Sequence, residues 1–168
     1  MILVGDIIKY FNHMHIDVEE SSYEDTTTFT FHIYFKDFDL DASFSINHET
    51  NLLLFLMGME NPENLESMPE ALNAINQNSS ILKAYYERLD DACFIKASSF
   101  VLEDNVISVM DYILTCITDI DALYIENLYY TLYNPDYENM DDDEFEESHK
   151  DTSIEEDMEE LLSLLSKK

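Results

Sequence analysis

Apolar residues recur at helical spacing as soon as the chain begins. Leu3, Ile7, Tyr10, Phe11 and Met14 fall at i, i+4, i+7, i+8 and i+11, which is one stripe of an amphipathic helix. A polar, acidic stretch from Asp17 to about Asp25 follows and reads as a connector. The period then switches to two. Phe29, Phe31, Ile33 and Phe35 alternate with Thr28, Thr30, His32 and Tyr34, predicting a strand with one core face and one wetter face. After a turn at Lys36-Asp37-Phe38, Leu40, Ala42, Phe44 and Ile46 alternate with Asp39, Asp41, Ser43 and Ser45 in a second strand. A second turn at 47–50 leads into NLLLFLMG, residues 51–58, which is apolar on both faces. That run predicts a strand covered on both sides, by helix on one and by a partner on the other. Short connections make the three strands an antiparallel meander.

The next segment returns to helical spacing. Ser67 with Glu70 makes a capping box, Pro69 suits a first turn, and Met68, Ala71, Leu72 and Ile75 form the buried face of a short helix that ends at 76–80. Residues 81–89 and 92–102 read as two more strands joined at Asp90-Asp91, with Tyr85, Tyr86, Phe94, Ile95, Phe100 and Val101 as typical strand residues. Asp104 or Asn105 is placed to cap a long helix. There Val106, Met110, Ile113, Ile117, Ile120 and Tyr124 repeat at helical spacing, and the pattern runs to about Tyr133, before Pro135. Asp119 and Asp121 mark a bend in it.

Beyond Pro135 the composition changes. Residues 136–160 hold 14 acidic side chains and one Lys. A segment so charged buries too little apolar surface to offset its ordering entropy, so 136–152 is predicted to be a disordered acidic linker. A last amphipathic stripe closes the chain. Ile154, Met158, Leu161, Leu162 and Leu165 fall at i, i+4, i+7, i+8 and i+11, with a capping box at Ser153 and Glu156, and with Lys167 and Lys168 at the negative end of the helix dipole. The predicted organisation is an α+β domain over 1–135, the linker, and a C-terminal helix over 153–168.

The fold class is therefore α+β, a five-stranded antiparallel sheet backed by helices in the order α-β-β-β-α-β-β-α. This order, together with EALNAINQ at 70–77 before the second hairpin and the run 81–102 leading into the long helix, resembles the YbjN family, whose fold looks like that of type III secretion chaperones. The resemblance covers about residues 1–133. It implies an antiparallel sheet backed by helices, often paired into a homodimer, with a binding surface on the module. The family has no catalytic signature to carry over. The acidic tail and terminal helix depart from its pattern.

Charge narrows the choice of partner. Lys and Arg total 8 against 37 Asp and Glu, for a formal net charge of −29. Residues 1–135 alone carry 23 acids and 5 bases, so the folded part is itself acidic. Such a field repels nucleic-acid phosphates and anionic lipid and favours basic partners and solubility. The longest apolar run, residues 52–58, is far below the ~20 residues a membrane-spanning helix needs. The opening MILVGDIIKYF lacks a basic region ahead of its apolar residues, and Cys93 and Cys116 follow no CxxC spacing. A cytoplasmic protein with two buried free thiols is expected.

Candidate chemistry is sparse. His13 and His15 at i, i+2 do not share a helix face. Asp37, Asp39 and Asp41 imitate the start of a calcium loop, but Ala42 replaces the required Gly, and His48 stands at the twelfth position. No nucleophile with a base, no HExxH and no Gly-rich phosphate loop occurs, and Gly5 and Gly58 are the only glycines. No catalytic residue, metal ligand or cofactor is expected. The expected activity is non-enzymatic binding of a protein partner through apolar sheet and helix surface, with Leu52, Leu54, Leu56, Ile154, Met158, Leu161, Leu162 and Leu165 as the candidate binding residues and a homodimer as the assembly. Neither nucleic acid nor membrane is an expected partner. The terminal stripe either docks on its own domain or enters a groove on a partner or second subunit. The alternatives are an acidic nucleic-acid mimic that occupies a basic protein, a dedicated secretion-type chaperone, and a loose cation binder or unrecognised enzyme.

Overall fold

The computed structural model describes residues 4–134. The chain divides into two units, Met1–Pro135 and Asp136–Lys168, and every described element lies in the first. Leu3, the linker expected at 136–152 and the terminal helix expected at 153–168, with Ile154, Met158, Leu161, Leu162 and Leu165, lie outside the described residues.

The first stripe forms α1 (Val4–His13), and its inner residues Ile7 and Phe11 are fully buried. Met14 is not part of that face: the helix has ended, His15 turns the chain with a positive φ of 56°, and Met14 is 45% exposed. Four strands follow in hairpin sequence: β1 (Glu19–Tyr23), β2 (Thr26–Tyr34), β3 (Asp39–Asn47) and β4 (Leu52–Glu60). The chain then forms α2 (Met68–Asn78), β5 (Lys83–Glu87), β6 (Ala92–Phe100) and α3 (Val106–Thr115). A π-helical turn (Cys116–Ile120) joins α3 to α4 (Ala122–Tyr133).

The strands make one antiparallel sheet in the order β1-β2-β3-β4-β6-β5. It has six strands, not the expected five. The sixth is β1, in the stretch read as a connector. All five of its residues are exposed, so it has no apolar alternation to announce it, and main-chain pairing with β2, with one hydroxyl contact from Ser22 to Thr27 at 3.2 Å, forms it. The β2-β3-β4 meander has the expected connectivity. The second hairpin enters with its later strand inward. β6 spans nine residues and pairs along the whole of β4, whereas β5 offers only five, so placing β6 inside leaves the fewest unpaired main-chain groups on β4.

Alternation then assigns the faces. Phe29, Phe31 and Ile33 of β2, Leu40, Ala42, Phe44 and Ile46 of β3, and Leu53, Phe55, Met57 and Met59 of β4 are buried in one core with Ile7, Phe11, Met110, Ile113, Ile117, Ile125, Leu128 and Leu132 of the helices. Phenylalanine rings fill its centre: Phe11 lies 5.1 Å from Phe31 and 6.0 Å from Phe29, and Phe44 lies 5.1 Å from Phe55. Such pairs add to the stabilisation from area burial.

Two helix starts differ in detail from the sequence reading. Ser67 does stand at the N-cap of α2, with Pro69 in the first turn, but its side chain makes no capping bond. Asn64 Oδ1 accepts instead from the N–H groups of Glu66 and Ser67 just upstream, at 3.2 and 3.4 Å. Asn105 stands at the N-cap of α3, and its Oδ1 reaches back to accept from Leu102 N–H at 2.7 Å. Each side chain closes the preceding loop rather than the helix end, because Asn and Asp side chains hydrogen-bond neighbouring main chain readily.

The long helix is interrupted where Asp121 suggested a bend. Asp121 is 3% exposed, and its carboxylate accepts from Ser79 Oγ at 2.7 Å. Ser79 Oγ in turn accepts from Leu82 N–H at 2.9 Å. One buried pair thus fastens the α2–β5 connection to the junction before α4. At the far end of α4, the Tyr129 ring stacks on Phe38 at 3.7 Å, Tyr130 donates to Asp37 and Tyr133 donates to the carbonyl of Glu60. With the N–H groups of Glu63 and Asn64 donating to the Leu132 carbonyl, these contacts between distant stretches of chain hold the last helix to β4 and to the connections around it.

Cys93 and Cys116 are free and buried. Burial first, and the Asp91 carboxylate second, push the Cys93 thiol up to about 11. A native Cys93 is therefore expected to resist a disulfide-forming thiol reagent at pH 8 and to react once urea unfolds the chain. The same shift has a sign in alkali. The raised thiol contributes stability that is present below the unfolded-state value near 9 and is lost as pH rises toward about 11, because only the unfolded thiol has ionised in that window. The expected slope from this group is at most about 1.4 kcal/mol per pH unit. Urea titrations of the wild type and Cys93→Ala at pH 8 and pH 10.5 would measure it.

Candidate functional site

Among the described residues, helices cover one face of the strand expected to be covered on both. Leu53, Phe55, Met57 and Met59 of β4 point into the core, while Leu52, Leu54 and Leu56 point to the other side, where no described element lies over them. Leu54 and Leu56 are half-buried, and Leu52 is 37% exposed. The reason for the half-burial is lateral. β4 sits inside the sheet, so side chains on β3 and β6 shield its outward residues from the sides without a layer above.

Register places the neighbours. Leu52 lies opposite Phe100, Leu54 opposite Ser98, Leu56 opposite Lys96, and Gly58 opposite Phe94 on β6. One strand further, Phe94 faces Tyr85, and their rings are 5.7 Å apart. Phe100 is 77% exposed and Tyr85 36%. Gly58 leaves the space that the Phe94 ring uses, because a Cβ there would stand 3.3 Å from ring carbon Cε1. The Lys96 ammonium lies 5.0 Å from the centroid of the Tyr85 ring, a cation–π contact that keeps its stem along the apolar surface. On the side of β3, the same face changes to hydroxyls: Ser45 lies opposite Leu54 and Ser43 opposite Leu56, and Thr28 bonds Ser45 at 2.9 Å. Beyond them His32 Nδ1 meets Asp41 Oδ1 at 2.8 Å.

The open face is thus a sloping surface. Its β4-β6-β5 side is apolar and carries Lys96 and Lys83, and its β1-β2-β3 side is hydroxylic and carboxylic. It can bury leucine and phenylalanine side chains against a ligand, offer the ammonium of Lys96 beside the Tyr85 ring, and supply hydroxyls at the margin. Of the predicted site residues, the structure brings Leu52, Leu54 and Leu56 together here. Those in the terminal helix lie outside the described residues. Phe94, Phe100, Tyr85 and Lys96 were missed as site residues. The signal for them was the alternation Phe94, Lys96, Ser98, Phe100, which shares one face only once β6 is known to pair with β4.

The other candidate chemistry disperses. His13 and His15 are exposed at the end of α1. Asp39 and Asp41 lie on one face of β3 near His32, while Asp37 takes the Tyr130 hydroxyl, so the three do not form a calcium loop. Among the described residues, no group of three or more His, Cys, Asp or Glu is arranged to hold a metal ion, and no helix is long and apolar enough to cross a membrane.

With this geometry, comparison with known proteins gives a structural likeness. No family model matches the chain, and no curated protein does. Among solved structures, a chain of the crystal structure of the ExsC-ExsE complex is similar, with 12% sequence identity and a TM-score of 0.49. The match covers 80% of this chain and 98% of that one. At that distance, the account of the fold and the site rests on this chain's own residues. The resemblance to the YbjN family rests likewise on the element order and residues that suggested it, and the additional strand β1 departs from that order.

Proposed function

We propose that this is a non-enzymatic, cytoplasmic protein-binding module that engages its partner through the open face of the sheet. One observation carries the reading: Leu52, Leu54, Leu56, Phe94 and Phe100 share the face that no described element covers, with Phe100 largely in water. Contiguous exposed apolar surface on a small domain marks an interaction site more often than chance exposure does. Burying it on association supplies the driving force, while the carboxylates elsewhere keep the free protein soluble. The acidic-mimic alternative is weaker here. It needs carboxylates spaced along one face, and on this face Asp39 and Asp41 stand only at the β3 margin, while leucines and phenylalanines occupy the β4-β6 side. YbjN-like and secretion-chaperone-like roles are specific forms of the same proposal, differing in the partner, and so is a homodimer through this face.

The test pairs Leu54→Asp with Phe100→Asp in the full chain. Both side chains point outward, so the circular dichroism spectrum is expected to persist, with the urea midpoint lowered because Leu54 is half-buried. Light scattering and affinity capture from extract of the source cells are then run on both proteins. The expected result is one assembly, with a second copy or with another protein, that the wild type forms and the double variant weakens by at least about thirtyfold, the range of a binding hot spot. A double variant that keeps every association of the wild type would sink the reading.

A further inference from the structure

The two edges of the sheet are treated differently. At β5, the outer side of Ala84 is occupied: its carbonyl accepts from Asn76 Nδ2 at 2.8 Å, and its N–H donates to Asn76 Oδ1 at 2.9 Å. Just upstream, Leu82 N–H is taken by Ser79 Oγ. A side chain from α2 thus does what a further strand would do at Ala84, and the first half of this edge is closed. At β1, no described group bonds the outer side. The strand is paired with β2 along all five residues, from Glu19 opposite Thr30 to Tyr23 opposite Thr26, so it is held straight and ready for a neighbour. Its side chains are all exposed. The two-residue turn after Tyr23 makes Tyr23 and Thr26 the closing hydrogen-bonded pair. Alternation then turns the N–H and C=O of Glu20 and Ser22 outward.

An ordered edge with free main-chain groups is a template for strand addition. Charge selects what can use it. Asp17, Glu19, Glu20, Glu24 and Asp25 lie within nine residues that hold no Lys or Arg. A second copy of this chain would lay the same five carboxylates alongside them at the spacing of paired strands, about 4.8 Å, where like charges repel. We propose that the β1 edge accepts an extended segment of a basic protein, with Lys or Arg at alternate positions, as a seventh strand of the sheet. The main chain of that segment would bond Glu20 and Ser22, and its cations, which share one face of the added strand, would lie beside Glu19 on the open face of the sheet or beside Glu20 on the other, according to register. This surface is separate from the open face, and the proposal does not depend on the function assigned to that face.

The probe is an N-acetylated, C-amidated peptide of alternating Lys and Val, seven residues long, added to the full-length protein, with the Glu and Val counterpart as control. Amide exchange followed by NMR reports where the peptide lies. The expected result is slowed exchange, by at least tenfold, at the Glu20 and Ser22 amides with the Lys peptide and not with the Glu peptide, weakening as salt rises. Glu19→Lys with Glu20→Lys is expected to reverse the preference between the peptides, and this variant leaves the β1–β2 pairing in place. Ser22→Pro removes one outward N–H, together with the hydroxyl that bonds Thr27, and is expected to abolish the protection, with spectral changes confined to β1 and the neighbouring residues of β2. Binding of the Lys peptide with no protection at Glu20 and Ser22 would mean adhesion to carboxylates alone and would overturn the proposal, as would protection by both peptides alike or no binding.

Discussion

Phe44→Ala is expected to lower the unfolding free energy by about 3–5 kcal/mol, as removal of a fully enclosed aromatic ring does. Phe44 has no exposed surface and stands at the middle of the ring cluster, 5.1 Å from Phe55, 5.7 Å from Phe31 and 6.4 Å from Phe11. Those neighbours lie on two other strands and on α1, so no single side chain can move in to fill the space. The loss is a large part of the ~5–15 kcal/mol that domains of this kind have. Urea unfolding followed by circular dichroism checks it, with Leu54→Ala as the comparison. Leu54 lies on the adjacent strand with similar chemistry, but on the open face, and its truncation is expected to remove about 1 kcal/mol or less, because no sealed cavity forms. Equal losses at the two positions would mean that the outward face is covered after all.

The second large effect belongs to a polar pair. Asp121→Ala is expected to destabilise by about 2–3 kcal/mol, the range for a buried hydrogen bond to a charged group. The carboxylate is buried, its bond to Ser79 Oγ is 2.7 Å long, and the hydroxyl it orients is also the acceptor for Leu82 N–H. Asp121 sits where the π-helical turn hands over to α4: its N–H donates to the Cys116 carbonyl, and its carbonyl accepts from Tyr124 N–H. Loss of the side chain therefore loosens two connections that are 42 residues apart. A double-mutant cycle with Ser79→Ala measures the coupling, expected at about 1.5–3 kcal/mol. A coupling near zero would show that Asp121 acts through the backbone turn only. Asp121→Asn keeps an acceptor oxygen and should lose less than Asp121→Ala.

Much of the layout was legible because burial on one side imposes a period. The alternation over β2 and β3, the helical stripes of α1 and α2, and the apolar run of β4 identified those elements, and the inward residues Phe29, Phe31, Leu40, Phe44 and Ile46 are the buried ones. Where burial imposed nothing, the pattern was silent. β1 is exposed along its whole length and formed by main-chain pairing, so its residues EESSY have no reason to alternate. The two-sided apolar character of β4 was legible, but its meaning was not. A central strand with no described element over one side reads the same as a strand enclosed on both, because neighbouring strands shield it laterally. Asn64 and Asn105 show a similar limit: residue type marks a helix start, while the loop's path decides which amide the side chain reaches.

What the sequence by itself determined is the α+β class, the position of most elements, the core-facing set and the strong negative charge, since each follows from local period or composition. Only the tertiary structure decided the order in which strands lie. That order made β6 the neighbour of β4 and so gathered Phe94, Lys96 and Phe100 beside Leu52, Leu54 and Leu56. It also left the β1 edge without a described neighbour while Asn76 took the outer main chain of Ala84 on β5. These features depend on pairing between residues tens of positions apart, which is chosen by matching strand lengths and by sharing one core, and no local pattern records that choice.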